Sequence, residues 1–426
     1  MSKKKFFYFP ISIFFLIIYA VPILWLSRDN RTPEISLIEG RTLTDFPELS
    51  YRDFKTSIKR VIHGKVAEAE EIFFKQFTNR EFQSQFEQAA TDQFPFRLNG
   101  ISLAKALDRK IIELAFLPLK DVAIPTDFKS GLYVLKDSQA IIYPPLGFDQ
   151  SMKSRIDLRI SNYDKLINEF PDLNFYLFYL QRLSESEYHP LNKYYPNSDL
   201  GQSLAYFEES KPVDLVMSKF MLNSLEDHLK YFYHTDHHWN IHGALTGYEI
   251  IYKMLAQNYP DISAPWPHEE IYTFPDIEYL GSLARKSYYN IKGEKFEVLN
   301  TELPPFKIMK KGEAFEYNKS AEYLAGNYSI EPYVNHYQTY FGKQTDLIDY
   351  VSDNQKERNL LIIGSSFTRP LQPLLAAHYH HTYVVDLRKY VDFSLSKFIE
   401  EYPVDDVLFI GDYRVAFQSM EWSITP

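Results

Sequence analysis

The sequence contains no cysteine. That absence excludes disulfides, thiolate nucleophiles, and zinc or iron–sulfur sites built on sulfur ligands. Any nucleophile in the chain is therefore an oxygen or a nitrogen. Positive charge is also in deficit, with 46 Lys and Arg against 56 Asp and Glu and a formal charge of -10. No general basic field exists to collect phosphate backbones, so nucleic acid is not an expected partner. Internal repeats and low-complexity tracts are missing too. What remains is the makeup of a packed globule, 45% hydrophobic and 24% charged, and not that of a disordered tail. The 426 residues suffice for two or three average domains, or for one large α/β domain with an appended piece.

Long apolar runs are absent except at the start. Lys3, Lys4 and Lys5 precede an apolar stretch from Phe6 to Leu26, and about twenty such residues span a bilayer core as a helix. The lysines favour a cytoplasmic N-terminus. Leu26, Ser27 and Arg28 make a poor signal-peptide cleavage site. The reading is an uncleaved, single-pass signal anchor over 1–28, with the remaining chain outside the cytoplasm. A juxtamembrane linker and helical region follows over 29–115. Its first part is polar, with Pro33 and Pro47, and its second carries Phe54, Ile58, Val61, Phe73, Phe74 and Phe77 at spacings near three and four.

Residues 116–426 read as an α/β domain. Gly131–Leu135 and Ala140–Tyr143 form a predicted hairpin across Lys136-Asp-Ser-Gln. An amphipathic stretch, Gln150–Phe170, leads into the strand-like Asn174–Leu180. Near the C-terminus the short apolar runs at Leu360, Thr382 and Val407 are separated by helix-length segments, the pattern of parallel strands covered on both faces. These features predict a three-layer domain with a mostly parallel sheet, its active site at the carboxyl ends of the strands.

Five of the twelve histidines fall between positions 228 and 242. The centre of that stretch is Thr235-Asp-His-His-Trp-Asn-Ile-His-Gly-Ala. If Thr235–Trp239 is extended, Asp236 and His238 share a face, and the carboxylate can accept from one imidazole nitrogen and leave the other free as a base. Asn240 is a predicted N-cap for a helix through Leu245, Tyr248, Tyr252 and Leu255. A nucleophile candidate lies in Leu361-Ile-Ile-Gly-Ser-Ser-Phe-Thr-Arg-Pro. There Ser366 sits on a strand-to-helix turn, which exposes a hydroxyl and offers backbone N–H groups to an oxyanion. Trp239, His237 and Arg388 are candidate substrate-binding residues; for Arg388 a structural ion pair with Asp386 is an equal alternative. Two other readings stay open. One is a metal-dependent hydrolase using Asp236, His238 and His242, the last two at ligand spacing on a helix. The other is a non-catalytic carbohydrate-binding or assembly protein of polysaccharide export, using some of the many aromatics as stacking faces.

The segment Asp236-His-His-Trp followed by Asn240-Ile-His-Gly-Ala resembles the signature of the DHHW family. It is also similar to the Asp-x-His-Trp segment of alginate O-acetylation proteins, which have an SGNH hydrolase-like domain. Supporting matches are Glu39-Gly-Arg-Thr-Leu, Asp92-Gln-Phe-Pro-Phe-Arg, Gly131-Leu-Tyr, Gly364-Ser-Ser-Phe and Val385-Asp-Leu-Arg-Lys-Tyr. The resemblance implies Ser366 as nucleophile, His238 as base and Asp236 as its orienter, with the Asp-x-His block before the serine. It implies acetyl transfer to an exopolysaccharide or wall polymer, with an acyl donor supplied through a membrane-bound O-acyltransferase and no cofactor. Ser365 stands where many relatives carry Asp or Thr, and Gly40 where they commonly carry Asn.

Overall fold

The computed structural model describes residues 35–417, apart from 48–49, 76–79, 95–96, 117–118, 120, 269, 317–318, 344 and 354–357. The predicted anchor over 1–28 lies outside the described residues. Among the described residues no helix is long and apolar enough to cross a membrane. The chain divides into two compact units, Met1–Asp108 and Arg109–Pro426.

In the first unit, β1 (Ile35–Ser36) pairs antiparallel with β2 (Arg41–Thr42). Gly40 between them has a φ of 65°, a left-handed conformation that glycine adopts without a Cβ penalty. Side chains of this hairpin then reach far along the chain. Arg41 donates twice to Asp92, at 2.7 and 2.6 Å, and Arg97 donates twice to Glu39, at 3.1 and 2.6 Å. The hydrogen bonds from Arg41 hold the Asp92 carboxyl well below the usual range. The blocks around Glu39 and Asp92, more than fifty residues apart in sequence, are thus two halves of one clasp. Helices Tyr51–Ile62, Glu81–Asp92 and Arg97–Ala115 make up most of the rest; the last of them crosses the division between the units. Tyr51–Ile62 begins where the Ser50 side chain accepts from the backbone N–H of Asp53, satisfying one of the free donors of the first turn.

The second unit opens with a three-stranded antiparallel sheet of β3 (Ala123–Pro125), β4 (Tyr133–Leu135) and β5 (Ile141–Ile142), which contains the predicted hairpin. Helix Gln150–Glu169, capped by Asp149, leads to β6 (Asn174–Leu180), and β7 (Leu215–Phe220) follows. β8 (Ile271–Tyr279) and β9 (Glu294–Leu299) form a separate antiparallel ribbon. The chain then adds β10 (Phe306–Lys310), β11 (Glu313–Ala314), β12 (Leu347–Ser352), β13 (Leu360–Gly364), β14 (His381–Val385) and β15 (Asp406–Gly411).

Eight of these strands make one sheet in the order β11-β10-β12-β14-β13-β15-β6-β7. Its residues alternate between two cores, as a period of two requires. Phe175, Leu177 and Tyr179 of β6 join Leu361, Ile363 and Phe409 on one face, against Met152, Ile156, Tyr163 and Leu166 of helix Gln150–Glu169. Tyr176, Phe178 and Leu180 join Leu360, Ile362 and Leu408 on the other, against Ala244, Tyr248 and Ile251 of helix Ile241–Leu255. The architecture is mixed α/β, with helices on both faces of a large central sheet.

The sheet is parallel only from β14 to β7. Strands β12, β10 and β11 extend it antiparallel, a part the sequence reading did not foresee. The run Leu347-Ile-Asp-Tyr-Val-Ser is broken by Asp349, whose charge is met across the strand pair by His381 at 3.0 Å. An acid in mid-strand hides the strand from hydropathy, and the partner that tolerates it is more than thirty residues away.

Candidate active site

Three of the predicted residues meet at the carboxyl ends of the parallel strands. β13 is buried throughout and flanked on both sides by parallel partners. The strand ends at Gly364, where a Cβ would overlap Thr368 and approach the carbonyl oxygen of Ile410 to 2.8 Å. The chain then turns into a short 3-10 segment, Ser366–Thr368. This turn is fastened by Thr368, whose N–H and hydroxyl both donate to the Ser365 carbonyl at 3.0 and 2.9 Å. Trp239 and Tyr337 fasten it from outside, donating to the carbonyls of Phe367 and Ser366 at 3.1 and 2.9 Å.

The histidine segment is not extended as expected. It is a bend whose ends are bridged at Phe232 and Trp239, and Asp236 reaches His238 by folding back. Its Oδ1 accepts from the His238 backbone N–H at 3.1 Å and lies 2.6 Å from Nδ1. Short acidic side chains close such turns on their own backbone. Glu294 holds the bend from below, accepting from the N–H groups of His234 and Thr235 at 2.9 and 2.8 Å and from the Thr235 hydroxyl at 2.6 Å. Asn240 caps helix Ile241–Leu255 by accepting from Gly243 N–H at 3.1 Å, as its position predicts.

His238 Nε2 lies 2.6 Å from Ser366 Oγ. Asp236 also accepts from the Tyr279 hydroxyl at 3.0 Å and the Ser282 N–H at 2.5 Å. Burial raises its carboxyl, but the imidazoles of His238 and His237 outweigh that effect and hold it well below the ordinary range. An ionised carboxylate can only accept, so Nδ1 carries the proton and Nε2 presents its lone pair to the serine. Burial, reinforced by His237, drops the His238 imidazole to about 3 against the opposing pull of Asp236. The imidazole is therefore neutral at pH 7 and able to take a proton. Its ring stacks on Tyr337 at 4.1 Å between centroids, which fixes its plane. Ser366 is partly exposed, and among the described residues no acceptor meets its backbone N–H. Chemically, the arrangement is a hydroxyl with a neutral base, a base with an anionic orienter, and a free donor beside the hydroxyl.

The remaining predicted residues divide. His237 donates or accepts at Ser282 Oγ, 2.7 Å away, and lines a cleft of about 320 Å³ with Arg182, Ser184, His228 and Leu283. Trp239 is fully buried, so it supports the nucleophile turn and offers no face to a substrate. Arg388 donates to both oxygens of Asp386, at 3.1 and 3.0 Å, which is its structural alternative. His242 lies 3.1 Å from Glu297 and does not join the ligand atoms of Asp236 and His238, so the predicted metal triad is not assembled. Asp236, His237 and His238 do place ligand atoms within 4.8 Å of one another, but each of those side chains is engaged in the hydrogen bonds above.

Several neighbours escaped the sequence reading. Tyr279, Ser282, Glu294 and Tyr337 come from distant segments with no spacing signal. Arg369 had one: it follows Ser366 by three residues on the same turn. With Ser365, Ser366, Thr368, Gln372 and Asp386 it lines a second cleft, of about 270 Å³.

No protein-family model matches the chain, and no curated protein matches it. Solved structures do. Bacillus cereus PatB1 with a sulfonyl adduct aligns with a TM-score of 0.53 at 19% identity, over 68% of this chain and 99% of that one. A second structure of Bacillus cereus PatB1 gives 0.51 at 19% identity over the same shares. A DHHW family protein from Eubacterium siraeum gives 0.50 at 18% identity, over 70% of this chain and 96% of that one. The chain therefore shares the fold of PatB1 and of this DHHW family structure, the fold to which the Asp236-His-His-Trp segment pointed.

Proposed function

We propose that the protein is a serine-dependent acyl-transfer enzyme, an O-acetyltransferase or acetylesterase acting on an exopolysaccharide or cell-wall polymer. The observation that carries this reading is the continuous series from Asp236 Oδ1 through His238 to Ser366 Oγ, with both contacts at 2.6 Å. In the first half-reaction Ser366 Oγ attacks the acyl carbonyl carbon and its proton passes to His238 Nε2. The oxyanion that forms takes the free N–H of Ser366. Collapse breaks the bond to the leaving group, which recovers the proton from His238 and leaves an acyl-serine. In the second half-reaction a sugar hydroxyl or water repeats the sequence and releases the serine. A sulfonyl adduct, as on PatB1, is what an electrophile forms with an activated nucleophile, and this supports the same reaction class by analogy of fold.

The apolar run Phe6–Leu26 behind Lys3–Lys5 supports placement of the site outside the cytoplasm on a membrane anchor. A membrane-bound O-acyltransferase is then the fitting acyl supplier. Incubation with a chromogenic acetyl ester, followed by intact mass, tests the reading. Wild type should carry one acetyl group and Ser366→Ala none, with both folded. Acetylation or turnover retained in Ser366→Ala removes the proposed nucleophile.

A further inference from the structure

Among the described residues, the guanidinium of Arg369 is the charge in the second cleft that the fold leaves without an opposite. Arg369 is 6% exposed. Among the described residues its side chain makes no hydrogen bond and no ion pair, and it lies over the Tyr337 ring, 6.0 Å from the centroid. The cleft's one carboxylate, Asp386, is already held by Arg388 at 3.0 Å. Burying an unpaired charge is costly, and among the described residues only the Tyr337 ring offsets that cost. The guanidinium fork matches a carboxylate in two parallel hydrogen bonds. Ser366 lines the same cleft. The cleft is small and partly open to solvent and does not engulf a whole small molecule, so it fits a fragment of the substrate adjoining the reacting ester.

We infer that Arg369 forms a carboxylate subsite beside the nucleophile. The inference rests on the acyl-transfer reading of Ser366 and adds to it a substrate class, one bearing a carboxylate within a few bonds of the reacting carbonyl or hydroxyl. That carboxylate is carried either by the acyl chain, as in a hemisuccinate, or by an acidic sugar of the acceptor. In both cases the covalent step is the one given above, and the carboxylate takes no part in bond making.

The test compares 4-nitrophenyl acetate and 4-nitrophenyl hemisuccinate on the full chain, with each kcat/KM divided by the rate of spontaneous hydrolysis. The hemisuccinate should be favoured by about tenfold or more, the scale of one charge-assisted contact. Arg369→Gln should remove that preference and Arg369→Lys restore part of it. A second arm offers the acetyl-enzyme an oligoglucuronate and its carboxyl-reduced counterpart. A preference for the acid that Arg369→Gln abolishes, through KM more than kcat, assigns the carboxylate to the acceptor. Equal ratios in wild type and Arg369→Gln in both arms overturn the subsite, even if all rates fall together. Should Arg369→Gln not fold, wild type decides. Succinate should inhibit turnover of the acetate ester about tenfold better than succinamide, and equal inhibition overturns the inference. If no ester acylates Ser366, the acyl-transfer reading fails, while calorimetric binding of succinate, present or absent, still decides the subsite.

Discussion

The two sides of the Ser366–His238 contact are built by different means. On the serine side the backbone does the positioning. Leu360, Leu361, Ile362 and Ile363 are fully buried, and β13 is hydrogen-bonded to a parallel strand on each side, so Ser366 follows directly on a buried interior strand of the sheet. On the histidine side there is no ladder. The bridge at Phe232 and Trp239 closes its ends, and between them two carboxylates gather donors: Glu294 takes the N–H groups of His234 and Thr235, and Asp236 takes the Tyr279 hydroxyl and the Ser282 N–H. A core of many small contacts loses stability gradually when one is removed. A buried polar network is coupled, and one missing partner leaves others unsatisfied. The comparison teaches that a single change on the histidine side disturbs the orientation of the base, whereas one on the serine side disturbs the packing of the sheet first.

The sharpest way to break this comparison is Asp236→Asn. The amide cannot stabilise an imidazolium on His238, and it presents a donor where the carboxylate accepts from four groups. By the behaviour of serine–histidine–aspartate triads in general, kcat should fall by about 10⁴-fold. Stopped-flow acylation beside thermal melting checks it. A loss below about tenfold would mean that Tyr337 stacking and the turn alone orient the base.

Two glycines sharpen the contrast at smaller cost. A Cβ on Gly281 would overlap the Asp236 side chain, whereas one on Gly364 would overlap Thr368 and crowd Ile410. Each overlap should cost roughly 1–3 kcal/mol, the usual price of overpacking. Gly364→Ala should lower Tm more, because the crowding falls within the sheet and its turn. Gly281→Ala should lower kcat more, because the carboxylate that orients His238 must move. Paired Tm and kcat measurements on both variants would reveal the opposite ranking if the comparison is misplaced.

The same contrast explains how much of the site was legible. Ser366 could be read because Leu361-Ile-Ile-Gly-Ser-Ser is local: apolar strand, then glycine, then hydroxyls, all within six residues. Asp236 and His238 could be read as a pair because they are two apart, although a bend and not an extended backbone brings them together. What favours the bend is the set of acceptors on Glu294, nearly sixty residues on, and such a contact leaves no mark in hydropathy or spacing. The hairpin, helix Gln150–Glu169 and strands β6, β13, β14 and β15 were legible because each carries its own period or apolar run. Strand β12 was not, because Asp349 depends on His381. The antiparallel part of the sheet, β12, β10 and β11, was missed along with it.

The last comparison asks whether a second buried polar network, beyond the ends of β6 and β15, is as coupled as the bend. There Glu185 accepts from the Tyr179 hydroxyl at 2.7 Å and Asp412 pairs with Arg182 and Arg414 at 3.2 and 2.7 Å. Burial, with Asp412 adding to it and Arg182 opposing, pushes the Glu185 carboxyl from 4.5 up to about 8. The folded chain thus keeps a proton that the unfolded chain gives up. The stability this contributes is full below pH 4.5 and is lost as pH rises toward 8. The buried histidines run the other way. Burial holds His189 and His336 at about 4 and His228 at about 3, so their contribution is present above 6.5 and lost as pH falls toward 4. Glu185→Gln keeps the neutral form at every pH. It should therefore raise Tm over wild type at pH 8, with the gain shrinking toward zero by pH 4.5, while the acid loss due to the histidines stays in both proteins. A gain that does not vary with pH would mean that Glu185 is ionised in the fold, held by Arg182, and that this network is stabilised by charge and not by a shared proton.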